Sequence, residues 1–218
     1  MPALSQPSAR SAVVAAFDFD GTLTRRDTLG PFLVHVLGWP RFLWVFLLCS
    51  PWLAAFMLGL ISNHLAKARL LKFCLSGKPR SDLLRKTQEF VSTCLPKLWN
   101  EWGLAQLLEH QKLGHCCVIV SASPGLYLHE AGRLLGVDAV LCTELEESCG
   151  FFTGLMASPN CHGEEKVRRL RAWLGENFAD LSPTELHAYG DSRGDLPMLA
   201  MASHRWYRGK PWRANRPK

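Results

Sequence analysis

Val13-Val14-Ala15-Ala16-Phe17-Asp18-Phe19-Asp20-Gly21-Thr22 decides the fold. Five uncharged residues ending abruptly in an acid describe a short strand buried on both faces, the kind found inside parallel sheets. Strand alternation puts the Asp18 and Asp20 side chains on the same side of the chain as it leaves the strand. Two carboxylates this close repel, so one is neutralised by a cation or keeps a proton. Those are the states needed by a metal-bound nucleophile and by a general acid. Gly21 permits the tight exit. Taken alone, the pattern also fits an acidic turn after a buried strand.

Similar strand signals recur downstream. Cys116 to Val120 is a second apolar run, ending in Ser121 and followed by a helix start at Ser123-Pro124 and a helix stop near Gly136. Ala139 to Cys142 reads as a third strand and Leu186 to Tyr189 as a fourth, with an amphipathic helix between them over Gly163 to Leu174. Glu144 to Ala157 reads as a β-hairpin. The alternation predicts an α/β fold, a doubly wound parallel sheet whose site lies beyond the carboxyl ends of the strands. Residues 28–114 break the alternation. They are helical in pattern, with Ser81 as an N-cap and Pro96 in a first turn, and are read as an inserted helical cap. The division expected is a loose leader over 1–11, a catalytic core of 12–27 plus 115–218, and the cap.

The second acidic station is Gly190-Asp191-Ser192-Arg193-Gly194-Asp195, again at the end of a buried strand. By itself it could be a capped turn into a helix. Together with Asp18 and Asp20 it makes an oxygen-rich pocket suited to Mg²⁺. Ser121 is placed to contact a phosphate oxygen, although alone it reads more simply as a turn or N-cap serine. Lys166 opens a helix, where most lysines are merely solvated.

In chain order, Asp18-x-Asp20-x-Thr22, Ser121 after an apolar strand, Lys166, and Gly190-Asp191-x-x-x-Asp195 resemble the haloacid dehalogenase superfamily of aspartate-nucleophile phosphohydrolases. Thr153-Gly154, Asn160-Cys161-x-Gly163-x-x-Lys166 and Asp195-Leu196-Pro197-Met198-Leu199 look like the subfamily that contains phosphoserine phosphatases. Within it, the apolar insertion and the ending His204-Arg205-Trp206 look most like the bacterial phosphatidylglycerophosphatase C family. Gly194 departs from the pattern, since relatives commonly have Asn there, and little catalytic consequence is expected.

The resemblance implies roles. Asp18 would attack phosphorus and Asp20 would protonate the leaving alkoxide, then activate water. Mg²⁺ would be held by Asp18, Asp191 and the backbone carbonyl of Asp20. Ser121 and Lys166 would hold phosphoryl oxygens, with Thr22 and Asp195 in support. The resemblance also implies that Asp20 favours phosphatase over dehalogenase or ion pump, which lack an acid at that position.

Phe42 to Ile61 contains twenty residues without a charge, about 30 Å as a helix, and reads as a transmembrane candidate. A single crossing would put Asp18 and Asp191 on opposite sides of a bilayer, so an even number of crossings, or none, is required. Pro51 predicts a bend and hence two short helices in a hairpin, packed as a cap or dipping into one leaflet. Trp39, Trp44 and Trp52 suit an interfacial level, and a basic tail carrying Trp206, Tyr207 and Trp212 suits anionic lipid.

The chain has 25 Lys and Arg against 19 Asp and Glu, and six of the basic residues fall within His204 to Lys218. The rest of the chain is balanced, which excludes a nucleic-acid-binding body. The eight cysteines lack paired or metal spacing, and Met1 to Ser11 has no apolar core of a signal peptide. A reducing, cytoplasmic setting is expected, at the cytoplasmic face of the inner membrane. The expected function is Mg²⁺-dependent hydrolysis of a phosphomonoester, with a lipid phosphate preferred. The alternatives are a phosphatase for phosphoserine or histidinol phosphate, and a catalytically silent phosphate-binding or membrane-scaffold protein.

Overall fold

The computed structural model describes residues 13–178 and 185–213; the expected leader lies outside them. Six strands form the main sheet: β1 (Val13–Phe17), β3 (Cys116–Pro124), β4 (Ala139–Thr143), β7 (Glu185–Gly190), β8 (His204–Tyr207) and β9 (Lys210–Pro211), in the order β4-β3-β1-β7-β8-β9. All neighbours are parallel except the β8–β9 pair. β1 is central, and Ala16 pairs with Val118 on one side and Ala188 on the other. From β1 the chain works outward through β3 and β4, then returns to β7 on the other flank. The crevice of a doubly wound sheet opens where that direction reverses, at the carboxyl ends of β1 and β7.

Helices α6 (Gly125–Leu135), α7 (Glu164–Asn177) and α8 (Leu196–Met201) complete the alternation. α6 stops at Gly136, which takes the left-handed conformation with φ 67°. Val14, Ala16, Val118 and Val120 bury themselves under α7 and α8, while Ala15, Phe17, Cys117 and Ile119 face the opposite core. Both faces are covered, which is why these strands are continuously apolar. The hairpin expected over Glu144 to Ala157 is present as β5 (Leu145–Ser148) and β6 (Phe151–Met156), joined by a turn at Cys149-Gly150.

Between β1 and β3 lie α1 (Leu29–Leu37), α2 (Trp39–Met57), α3 (Asn63–Leu75), the short strand β2 (Lys78–Pro79), α4 (Arg80–Glu89) and α5 (Glu101–Lys112), with tight helical turns over 90–98. Two local expectations are corrected. Helix α4 begins at Arg80 after Pro79, and Ser81 is not its cap: β2 pairs with β6 and fixes the start two residues earlier. Pro51 does not end a helix, because α2 runs through it. The proline leaves the Leu47 carbonyl without its usual N–H donor, and the Ser50 hydroxyl donates to that carbonyl at 2.7 Å instead. The hairpin turn falls at 58–62, and its second arm is α3, capped by Ser62, whose hydroxyl accepts from the Leu65 N–H. No helix among the described residues is long and apolar enough to cross a membrane.

The described part of the tail, to residue 213, joins the sheet. Trp206 belongs to β8, where its ring stacks on Tyr189 and His187, and Trp212 packs beneath Arg205 against the sheet. These aromatics pack, partly buried, along the sheet edge.

Candidate active site

The predicted site residues gather toward the carboxyl ends of β1, β3 and β7, with Lys166 supplied from the first turn of α7. The Asp18 N–H donates to the Tyr189 carbonyl at 2.9 Å, which ties the end of β1 to β7. Gly21, at φ 79°, then brings the chain so close that a Cβ on it would collide with the Asp191 carboxylate. Gly190 gives Asp195 the same clearance. Asp18, Asp191 and Asp195 consequently offer three carboxylate oxygens within 4.8 Å of one another.

Lys166 is the counter-charge. It is 2% exposed, and its Nζ donates to Asp18 Oδ1 at 2.6 Å and to Asp195 Oδ1 at 2.5 Å. Burying an ammonium costs several kcal/mol unless it is paired and hydrogen-bonded. Burial opposes its charge, yet the two aspartates hold its pKa above the ordinary lysine value. The other Asp195 oxygen accepts from the Ser192 N–H at 2.9 Å and from its hydroxyl at 2.7 Å. Burial works against its ionisation, but Lys166 and Ser192 keep the Asp195 carboxyl below the usual range. Asp195 therefore acts as a strut for Lys166 and the Asp191 loop.

Asp20 sits apart from that cluster. Its Oδ1 accepts from the Thr28 N–H at 2.8 Å and from the Thr28 hydroxyl at 2.6 Å, and its Oδ2 accepts a very short bond from the Ser123 hydroxyl. Burial and the charge of Asp27 push its pKa up to about 6 against those donors. Burial likewise raises Asp18, helped by Asp195 and Asp20 and opposed by Lys166. Ser121 is buried, with its hydroxyl accepting from the Ser123 N–H at 3.1 Å. Asp18, Asp20, Ser121, Lys166 and Asp191 all line one cleft of about 580 Å³. Thr22 is buried beside them, and its hydroxyl has no hydrogen-bond partner among the described residues.

A divalent metal fits this donor set. Asp18 and Asp191, with Asp195 holding Lys166 and the Asp191 loop behind them, supply only oxygens, the choice of a hard cation such as Mg²⁺. Burial and the Asp195 charge raise Asp191 in the metal-free protein, a repulsion that a cation relieves.

Four residues escaped the sequence reading. Ser123 and Thr28 hold Asp20 from different parts of the chain. Lys67 reaches down from α3 to donate to the Ala122 carbonyl and lies 3.5 Å from Asn160 Oδ1. Burial lowers its pKa to about 8 despite the pull of Asp20 and Asp27. His162 stands against Gly194, where a Cβ would strike its ring. The glycine noted as a departure thus makes room for an imidazole on the cleft wall. Only the Asn160-Cys161-x-Gly163 spacing hinted at any of them.

A buried carboxylate paired with a lysine, a second carboxyl whose pKa is raised to about 6 and an acidic nest that suits a divalent metal are the parts of a phosphoryl-transfer site. The sequence profile of the haloacid dehalogenase-like hydrolases matches residues 15–200, and the chain belongs to that family, as a phosphatase. It is 35% identical to Protein CicA of Caulobacter vibrioides over 91% of this chain and 88% of that one. It is 31% identical to a histidinol-phosphatase of Neisseria meningitidis over 43% of each chain. Among solved structures, a Bordetella pertussis protein of unknown function shares the fold with TM-score 0.73 and 21% identity, covering 89% of both chains. A substrate-bound phosphoserine phosphatase superposes with TM-score 0.64 and 17% identity over 89% of this chain and 84% of its own.

Proposed function

We propose that this chain hydrolyses a phosphomonoester by transient phosphorylation of Asp18, and that its substrate is a lipid phosphate of the phosphatidylglycerophosphate kind. The observation that carries the first part is the separation of the two acids. Asp18 shares a nest with Lys166, Asp191 and Asp195, while Asp20 is held outside it by Thr28 and Ser123. An Asp18 oxygen attacks phosphorus as the ester oxygen departs, and Asp20 gives that oxygen its proton. Asp20 then takes a proton from the water that displaces Asp18, releasing phosphate. Lys166 and the Ser121 hydroxyl balance the charge on the phosphoryl oxygens. Mg²⁺, held by Asp18, Asp191 and the Asp20 backbone carbonyl, would supply electrostatic stabilisation of the phosphoryl group. Thr22 and Asp195 complete the support.

The lipid reading rests on the α2–α3 hairpin. Trp39 is 71% and Trp44 68% exposed, and Leu43, Leu47, Leu48, Leu58 and Leu60 are exposed with them. An apolar surface of this kind marks an interaction site. The same hairpin carries Ala66, Lys67 and Leu70 into the cleft wall, so a surface that meets one leaflet would deliver a headgroup phosphate to Asp18. A peripheral seat at the cytoplasmic face of a membrane follows from that reading.

A second reading is favoured by the presence of both Asp27 and Lys67 on the cleft wall, which suits the ammonium and carboxylate of an amino-acid-like phosphate such as phosphoserine. A substrate panel separates them. Phosphate release should be fastest from phosphatidylglycerophosphate in mixed micelles and should vanish in Asp18→Asn. Faster release from phosphoserine or histidinol phosphate selects the second reading, and no release from any phosphomonoester selects a silent binding or scaffold protein.

A further inference from the structure

A second cluster of metal-ligating side chains lies away from the cleft. At the end of β4, alternation sends the Thr143 hydroxyl toward the Ala122 carbonyl of β3 at 2.8 Å, and turns its neighbours Cys142 and Glu144 the other way. There they meet His129, on the second turn of α6. Cys142 Sγ lies 3.2 Å from Glu144 Oε1 and 3.7 Å from His129 Nε2, and His129 Nε2 lies 2.9 Å from the same Glu144 oxygen. The thiol is buried, whereas the imidazole and carboxylate reach a surface cleft of about 330 Å³. Gly125 opens α6 directly beneath them, and a Cβ there would run into Glu144 Oε2 and Cys142 Sγ. The backbone has been brought in close to a compact triad.

We propose that Cys142, His129 and Glu144 form a binding site for a zinc-class divalent ion, separate from the oxygen-only nest around Asp18 and independent of the phosphatase reading. A tetrahedral zinc ion, bonded at about 2.0–2.3 Å, keeps neighbouring ligand atoms about 3.3–3.6 Å apart, so the triad needs to open by only a few tenths of an ångström. One sulfur, one nitrogen and one oxygen is a borderline-soft donor set that zinc accepts and magnesium does not. The thiolate and the carboxylate together neutralise the dication. The surface cleft supplies an entry path and a fourth position for water. On binding, the Cys142 proton leaves to solvent, His129 gives up its Nε2 proton and keeps its N–H at Nδ1, and Glu144 exchanges its hydrogen bonds from Cys142 and His129 for a bond to the ion. The ion clamps the end of β4 to α6, on the reverse side of the residue that holds Ala122.

Cobalt titration of the full chain in saturating Mg²⁺ tests the site, because thiolate–cobalt charge transfer reports sulfur ligation whatever the activity. One equivalent of Co²⁺ should give that band together with tetrahedral d–d absorption, and Zn²⁺ should bleach both. Cys142→Ser should abolish the band. His129→Ala and Glu144→Gln should weaken binding by at least the roughly tenfold cost of disturbing a supporting group. Asp191→Asn and Cys149→Ser should keep the band. A wild-type chain without the band, or a band that survives Cys142→Ser, overturns the site. Should Cys142→Ser fail to fold by circular dichroism, an unchanged cobalt spectrum in His129→Ala overturns it equally.

Discussion

Asp18 and Asp20 stand two residues apart on one strand exit, yet their surroundings differ enough to separate their work. Asp18 faces an ammonium and two carboxylates; Asp20 faces two hydroxyls, one N–H and the nearby charge of Asp27. With its pKa at about 6, Asp20 loses its proton as pH rises through that value. The rate of the first chemical step should therefore fall above about pH 6, and Asp20→Asn should flatten that limb while lowering turnover. Stability carries the same sign. A carboxyl raised from 3.8 holds its proton more tightly when folded, so its contribution is full below 3.8 and lost as pH rises through about 6. Urea unfolding of the metal-free protein should show a smaller loss over that range in Asp20→Asn than in the wild type, since Asp18 and Asp191, also raised by burial, still titrate in the variant. Lys166→Met leaves Asp18 and Asp195 facing each other unpaired, and denaturant unfolding should register a loss of about 3–5 kcal/mol. Gly21→Ala forces a side chain to φ 79° against Asp191. The left-handed backbone alone costs about 1–2 kcal/mol, and phosphate release should fall with it.

At the scale of elements, the hairpin of α2 and α3 shows where sequence patterns reach their limit. Pro51 promised a break between two helices, but α2 continues through it and a neighbouring hydroxyl caps the carbonyl it orphans, a repair that depends on Ser50 having the right rotamer inside a helix. Ser81 looked like a cap because serine favours that position; the pairing of Lys78 and Pro79 with Phe152 and Phe151, more than seventy residues away, overrides the local preference. The strand ends were legible because each carries its own acid or hydroxyl just after an apolar run. Lys67 and His162 were not, since only tertiary packing brings them to Ala122 and Gly194. Lys67→Ala removes a charged donor from the cleft wall. Charged hydrogen bonds are worth about 1.5–3 kcal/mol, so KM should rise at least about tenfold while kcat changes far less. Steady-state kinetics on the preferred substrate checks that split.

For the whole molecule, one arrangement explains both the chemistry and the exposed apolar surface. The sheet collects its acids where β1 and β7 part, and the hairpin stands over that same crevice with its tryptophans outward. The doubly wound sheet was readable from alternation alone; the destination of the basic tail was not, because an extra parallel strand and its partner claim Trp206 and Trp212 as packing residues. If the hairpin meets a leaflet, the chain should float with anionic vesicles, and the paired substitution Trp44→Glu with Leu47→Glu should release it. Hydrolysis of a small soluble phosphomonoester should be unchanged by that pair, since neither side chain lines the cleft.

The most direct measurement is acid quench of the enzyme during turnover, followed by mass spectrometry of the peptide that contains Asp18. Phosphate on Asp18, accumulating further in Asp20→Asn and absent from Asp18→Asn, is the predicted result. Turnover in which that peptide never carries phosphate would contradict it.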